Sequence, residues 1–226
     1  MINAILTIDD MPQNNTRAIV DYLVSKNIKC VFFTIGDLLD KNPESAIYAI
    51  SKGFVIGNHT YTHAKLNELS YEDAVAEIEK CEKSLNAVYE KAGVKRPVKL
   101  FRFPYLASRK DLTEYLVNNS FKKVDDSNVK NQWYIDSGWK DECHVSCSFD
   151  CEEYLLRPGN DKTFASIMDA IDKEFGNNPV DQDHIILTHS HDETEEMESE
   201  YWRKIVERIE ANGAKFIDPS FVDLHV

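Results

Sequence analysis

Two histidines four residues apart, His59 and His63 in GNHTYTH, stand with an adjacent acidic pair, Asp9 and Asp10 in AILTIDDMP, as the residues whose types and spacing best suit hydrolytic chemistry. On a helical turn, imidazoles at this spacing project from one face and can share a metal. An Asp pair in an extended strand points to opposite faces. At a strand end, however, a turn brings both carboxylates to one cavity, where one binds metal and the other serves as base. Two histidines and a carboxylate leave coordination positions open for water and substrate, with zinc the default metal. A metal pulls the pKa of a bound water down toward about 7, and a nearby carboxylate can take its proton as it attacks a carbonyl carbon. His189, in HIILTHSH, can then protonate the leaving group. The chemistry is metal-assisted hydrolysis of an amide or ester, and Arg102 is suited to hold the base carboxylate by bidentate hydrogen bonding. Plainer readings exist for each residue taken alone: an acidic turn before Pro12, solvated loop histidines, a surface ion pair for Arg102.

Position favours the chemical reading. Apolar strand-like runs alternate with amphipathic helical runs along most of the chain, the pattern of an α/β architecture. Strands are expected at AILTI (4–8), KCVFFTI (29–35), GFVIGN (53–58), VKLFRF (98–103), FKKV, WYID, HIILTH (184–189) and AKFID. Helices are expected from Pro12 to Lys26, Pro43 to Ser51, Tyr71 to Ala92, 109 to 119, Thr163 to Phe175 and Glu198 to Ala211. About seven strand and helix pairs, without a linker or repeat, favour a closed or nearly closed barrel in one domain. In such barrels chemistry gathers where strands end and βα loops begin. Five strand ends deliver polar residues there: Asp9 and Asp10, His59 and His63, Arg102 and Tyr105, Asp136 and Trp139, and His189.

The composition narrows the partners. Of 226 residues, 42% are hydrophobic and 29% charged, ordinary for a globular chain, and a formal net charge of −13 disfavours nucleic acid and anionic membrane surfaces. No apolar run approaches the roughly 20 residues that cross a bilayer, and the N-terminus lacks the basic and apolar blocks of a leader. As written the chain is expected in the cytoplasm, or exported and cell-wall associated if a leader was removed. Five cysteines form no CxxC pair and no even framework. Cys143, Cys147 and Cys151, if helical, would align with His144 for a soft metal.

The ordered set resembles a known family, the polysaccharide deacetylases with the NodB homology domain, also called carbohydrate esterase family 4. TIDD resembles its first motif, HTYTH its second, RFPY its third, DSGW its fourth and LTH its fifth, across roughly residues 4 to 220. The resemblance implies a distorted (β/α) barrel of about seven strands, one catalytic domain over residues 1–226, and a divalent metal, usually zinc, on Asp10, His59 and His63. It implies Asp9 as general base oriented by Arg102, and His189 as general acid. The Tyr105 amide would hold the oxyanion, with Trp139 and Leu187 as apolar walls around the acetyl methyl. The implied reaction removes acetyl groups from N-acetylated or O-acetylated sugars, in peptidoglycan, chitin or related oligosaccharides. Ile8 and Met11 stand where the family usually has Phe and Gly. Gly138 stands where a second Asp normally precedes Trp and helps set the pKa of the acid histidine, so Asp136 is expected to take that role. Residues 140–160 then read as an insertion beside the site. Two other functions fit the same residues: hydrolysis of another C–N bond in a small cyclic amide or imide, and carbohydrate binding by a relative that has lost turnover.

Overall fold

The run INAILTIDDM is apolar on both faces until its acidic pair, which suits a strand covered on two sides, and it forms the central strand β1 (Ile2–Met11) of the computed structural model. The structure describes residues 2–138, 147–176 and 181–224. After β1 the chain continues through α1 (Thr16–Ser25), β2 (Cys30–Thr34), α2 (Gly36–Lys41), α3 (Pro43–Ser51), β3 (Val55–Asn58) and the long helix α4 (Tyr71–Lys91). Then come α5 (Lys110–Asn118), β4 (Lys122–Val124), α6 (Gln132–Asp136), β5 (Phe149–Asp150) and α7 (Phe164–Phe175). The chain closes through β6 (Gln182–His189), α8 (Asp192–Met197), α9 (Tyr201–Ala211), β7 (Lys215–Phe216) and β8 (Phe221–Asp223).

The principal sheet runs β3-β2-β1-β6-β5, all parallel, with β7 paired to the start of β1. β4 and β8 form an antiparallel pair. Alternation along the strands divides the core. Ile5, Val31, Phe33 and Ile185 pack with Leu100, Val124 and Tyr134 on the inner face, whereas Leu6, Ile8, Phe32, Ile56 and Ile186 meet the helices on the outer one. Helix α4 starts on Ser70, whose hydroxyl accepts from the Asp73 backbone N–H at 3.1 Å, with Glu72 and Asp73 in its positive first turn. It buries Ala74, Ile78, Cys81, Leu85 and Val88 at helical spacing.

The distorted (β/α) barrel expected from the sequence results, with eight strands among the described residues. The expected strand at 98–103 is not a ladder. It makes two isolated bridges, Phe101 to Asn58 and Leu100 to Lys122, and so joins β3 to β4. Pro97 and Pro104 bracket this segment and withhold backbone donors from any longer ladder. WYID is also not a strand but part of α6: periodicity cannot decide so short an apolar run, and only Tyr134 within it is buried, its hydroxyl donating to Asp126 at 2.9 Å.

Within the expected insertion at 140–160, β5 is a sheet strand, in register with β6 through Phe149 to Ile186 and Asp150 to Leu187. Cys147 and Cys151 are buried in this extended segment and not on a helix. Cys143 and His144 lie outside the described residues. No helix among the described residues is long and apolar enough to cross a membrane.

Candidate active site

By alternation Asp9 shares the inner face of β1 with Ile5 and Thr7, and Asp10 should face outward. The register of β1 against β2 shifts between Ile8 and Met11, and Asp10 takes a left-handed φ of 64°. That irregularity turns both carboxylates into one cleft, a conformation worth stabilising only where the surroundings fix it. Asp9 and Asp10 are 2% and 5% exposed. Met11 puts no obstacle there: the positive φ belongs to Asp10, and the Met11 side chain is fully buried in the helix-facing core.

His59 follows β3, and the loop that carries it is not the helical turn expected from the spacing. Thr60 and His63 have φ of 67° and 59°. The Asn58 side chain accepts from the Thr60 N–H at 2.8 Å, and Glu77 of α4 accepts from the N–H groups of Tyr61 and Thr62 at 3.0 and 2.8 Å. The loop still brings the two imidazoles together, 4.9 Å between centroids. His59 Nδ1 donates to the Arg102 carbonyl at 2.8 Å, which leaves Nε2 with its lone pair toward the carboxylates.

Arg102 is fully buried. Its guanidinium donates to Asp9 Oδ1 at 2.6 Å and to Thr7 Oγ1 at 2.9 Å, and lies 4.3 Å over the Phe33 ring. It is thus a buried ion pair and not the surface pair of the plainer reading. Burial pushes the His63 imidazole down to about 4, with the neighbouring His59 adding to the effect, so His63 is neutral and able to donate a lone pair. Burial opposes ionisation of Asp10, but the hydrogen bond from His191 and the surrounding histidines outweigh it and hold the carboxyl below the usual carboxylate range.

Asp10, His59 and His63 each offer a ligand atom within 4.8 Å of the others. Ligands about 2.0–2.2 Å from a tetrahedral zinc lie about 3.4 Å apart. Asp10 Oδ1 is 3.5 Å from His59 Nε2 and 3.6 Å from His63 Nε2, and it is a buried oxygen without a hydrogen-bond partner. The donor set and the orphaned oxygen fit a divalent cation.

His189 ends β6 on the rung beside Asp9. A carboxylate does meet this histidine, but it is not Asp136, the one expected from the sequence. Asp136 is exposed at the end of α6, where it accepts from Gln132 at 2.7 Å. Glu153, fully buried, is the carboxylate on His189: Oε1 accepts from the backbone N–H at 2.5 Å and from Nδ1 at 3.0 Å. Burial would lower the His189 pKa, but Glu153, with Asp10 and Asp9 behind it, raises it to about 10. The Tyr154 ring meets the His189 ring edge-on at 4.8 Å. An acidic residue followed by an aromatic, the pairing sought at DSGW, therefore occurs at Glu153 and Tyr154. β5 presents Asp150 to the same cleft, where burial, reinforced by Glu153, pushes its carboxyl up to about 6.

The cleft encloses about 390 Å³. Leu187 and Leu106 line it, and Leu187, 2% exposed, packs against Cys147 behind. Tyr105, 59% exposed with φ of 58°, stands at the rim with its ring 4.7 Å from that of His63. Trp139 lies outside the described residues. Sequence reasoning overlooked Glu153, Tyr154, Asp150, Arg157 and His191. The signals available were the acidic run DCEEY and the second histidine of LTHSH.

The family model described as polysaccharide deacetylase matches residues 3–124. A peptidoglycan-N-acetylglucosamine deacetylase of Bacillus cereus is 31% identical over 137 residues, 60% of this chain and 46% of the relative. The chain covers less than half the length of the curated relatives it matches. Among solved structures, a peptidoglycan N-acetylglucosamine deacetylase superposes with a TM-score of 0.70 at 23% identity, covering 96% of this chain and 85% of the other. A family 4 carbohydrate esterase from Streptomyces lividans, in complex with acetate, superposes at 0.66 and 19% identity, covering 95% and 91%. At these identities the superpositions show a shared fold.

Proposed function

Because the chain belongs to the polysaccharide deacetylase family, we propose that it is a metal-dependent hydrolase that removes acetyl groups from N-acetylated sugars of a glycan such as peptidoglycan or chitin. The observation that carries this reading is the buried Asp10 Oδ1, without a hydrogen-bond partner and 3.5–3.6 Å from two histidine nitrogens, beside a base held by arginine. Asp10, His59 and His63 would hold a divalent metal, zinc being the expected one, which supplies Lewis-acid activation of water and of the acyl carbonyl.

Asp9, fixed by Arg102, takes the proton of the attacking water, since the bond to Arg102 uses only Oδ1 and leaves Oδ2 toward the cleft side of His59. His189, kept protonated by Glu153, delivers a proton to the amine as the C–N bond breaks. Leu187 and Leu106 receive the acetyl methyl, and the Tyr105 amide is the expected oxyanion donor. A second cleft of about 420 Å³ shares Tyr154, Arg157 and His191 with the first and adds Gln13, Asp192 and Glu193. Its polar lining, continuous with the site, suits further sugar rings of an extended glycan.

The test is acetate release from an N-acetylated glycan oligomer by zinc-loaded wild type and by Asp9→Asn. Release by wild type, with loss on the order of a hundredfold or more in the variant, supports the reading. Sugar binding without release sinks it in favour of a binding protein, and turnover of a cyclic imide without acetate release favours the other hydrolase.

A further inference from the structure

We propose that His191 is a positioning residue for the metal centre, one that commits Asp10 to bind through a single oxygen. The inference rests on the metal reading above and concerns a residue outside the three ligands. His191 Nε2 donates to Asp10 Oδ2 at 2.6 Å. The other oxygen, Oδ1, is left without a hydrogen-bond partner and faces both histidine Nε2 atoms. A carboxylate with two equivalent oxygens can rotate or chelate. One oxygen tied by a short hydrogen bond to the ionised group fixes the torsion and aims the other.

The placement of His191 is itself built. It sits two residues beyond the end of β6, with its ring 5.2 Å from that of His189. Its carbonyl accepts from the Glu195 N–H at 3.2 Å as α8 begins. The next residue, Asp192, accepts from the backbone N–H of Asn14 at 3.0 Å and from its side-chain amide at 2.6 Å. The segment carrying His191 is therefore clamped to the loop that leaves Asp10. This matters because Asp10 holds an irregular backbone with φ of 64°, and its side chain needs an outside restraint to keep one rotamer. His191 is not a fourth ligand: its Nε2 is engaged with Oδ2, and it is absent from the set whose ligand atoms converge.

The experiment is a zinc titration against a chromophoric chelator on metal-free wild type, His191→Ala, His191→Gln and His59→Ala, with thermal unfolding of each metal-free protein. His191→Ala should bind zinc about 10–100-fold more weakly, with the metal-free melting curve unmoved. His191→Gln, whose amide nitrogen can replace Nε2 as donor, should recover most of that loss. Because His191 also lines the cleft, the KM of His191→Ala for a chitooligosaccharide is read separately with zinc saturating, and the zinc affinity alone reports the positioning of Asp10. Wild-type zinc affinity in His191→Ala, alongside clear loss in His59→Ala, would overturn this inference and leave the metal reading standing. Wild type binding zinc no better than His59→Ala would remove the metal reading, and this inference with it. A raised KM at unchanged zinc affinity would assign His191 to substrate contact instead.

Discussion

One oxygen of Glu153 holds His189 at two points, accepting from its backbone N–H at 2.5 Å and its ring Nδ1 at 3.0 Å. The carboxylate thus fixes the ring and stabilises its charged form. His189 is raised to about 10, so the acid form persists through neutral pH. Glu153→Gln keeps the shape and removes the charge. The alkaline limb of kcat should then move down by about one pH unit or more. The sign for stability follows from a raised folded pKa: the contribution of His189 is complete below the unfolded value of about 6.5 and is lost as pH rises toward about 10. Denaturant titrations of wild type should show stability falling across that window, and those of Glu153→Gln should show a smaller fall. An unmoved limb in the variant would remove Glu153 from this role.

Arg102 tests whether Asp9, the proposed base, is held by shape or by charge alone. Its guanidinium reaches Asp9 and Thr7 together and lies over Phe33, a fork that a lysine cannot reproduce. Arg102→Lys should lower kcat at least tenfold while zinc content stays at wild type. Arg102→Met leaves a buried carboxylate without its partner and should cost about 3–5 kcal/mol in urea unfolding.

Asp136 supplies the contrasting case. It is exposed and accepts from Gln132 at 2.7 Å. Asp136→Ala should leave stability within about 0.5 kcal/mol and acetate release within about twofold. A hundredfold loss of kcat would return the tuning role to Asp136.

Metal removal should separate the site from the scaffold. The core clusters are apolar and do not depend on the three ligands. Chelator-treated protein should keep its far-UV circular dichroism and lose acetate release, which zinc restores. At free zinc 100 times its Kd the folded state gains about 2.7 kcal/mol, read as a higher Tm; an unchanged Tm would count against a metal at this centre.

Much of this was legible in the sequence because β strands leave strong local marks. AILTI, CVFFT and HIILTH are apolar runs ended by reactive residues, and β1, β2 and β6 fall there. Asp9, Asp10, His59, His63, Arg102 and His189 consequently meet in one place. The strand expected at WYID was misplaced because WYID and SFDC are both short and partly apolar. What distinguishes them is pairing: Phe149 and Asp150 find Ile186 and Leu187 on β6, while Tyr134 reaches Asp126 and the inner core from a helical turn. Pairing of that kind is a long-range property, and no period in the chain encodes it. The same holds for the loop after Asn58, where the spacing of two histidines suggested a helix but Glu77 and two left-handed residues dictate otherwise.

Asp9 and His189 are Cα partners on neighbouring parallel strands. Their backbones therefore stand one interstrand step apart, about 4.8 Å, whatever the surrounding loops do. The backbone spacing beneath the proposed proton acceptor and the proposed proton donor is thus set by the sheet, whereas Tyr105, Leu106, Tyr154 and Arg157 all lie off the ladder on connecting segments. Substrate preference can then diversify by grafting new loops at the rim, with the reaction's span held unchanged underneath.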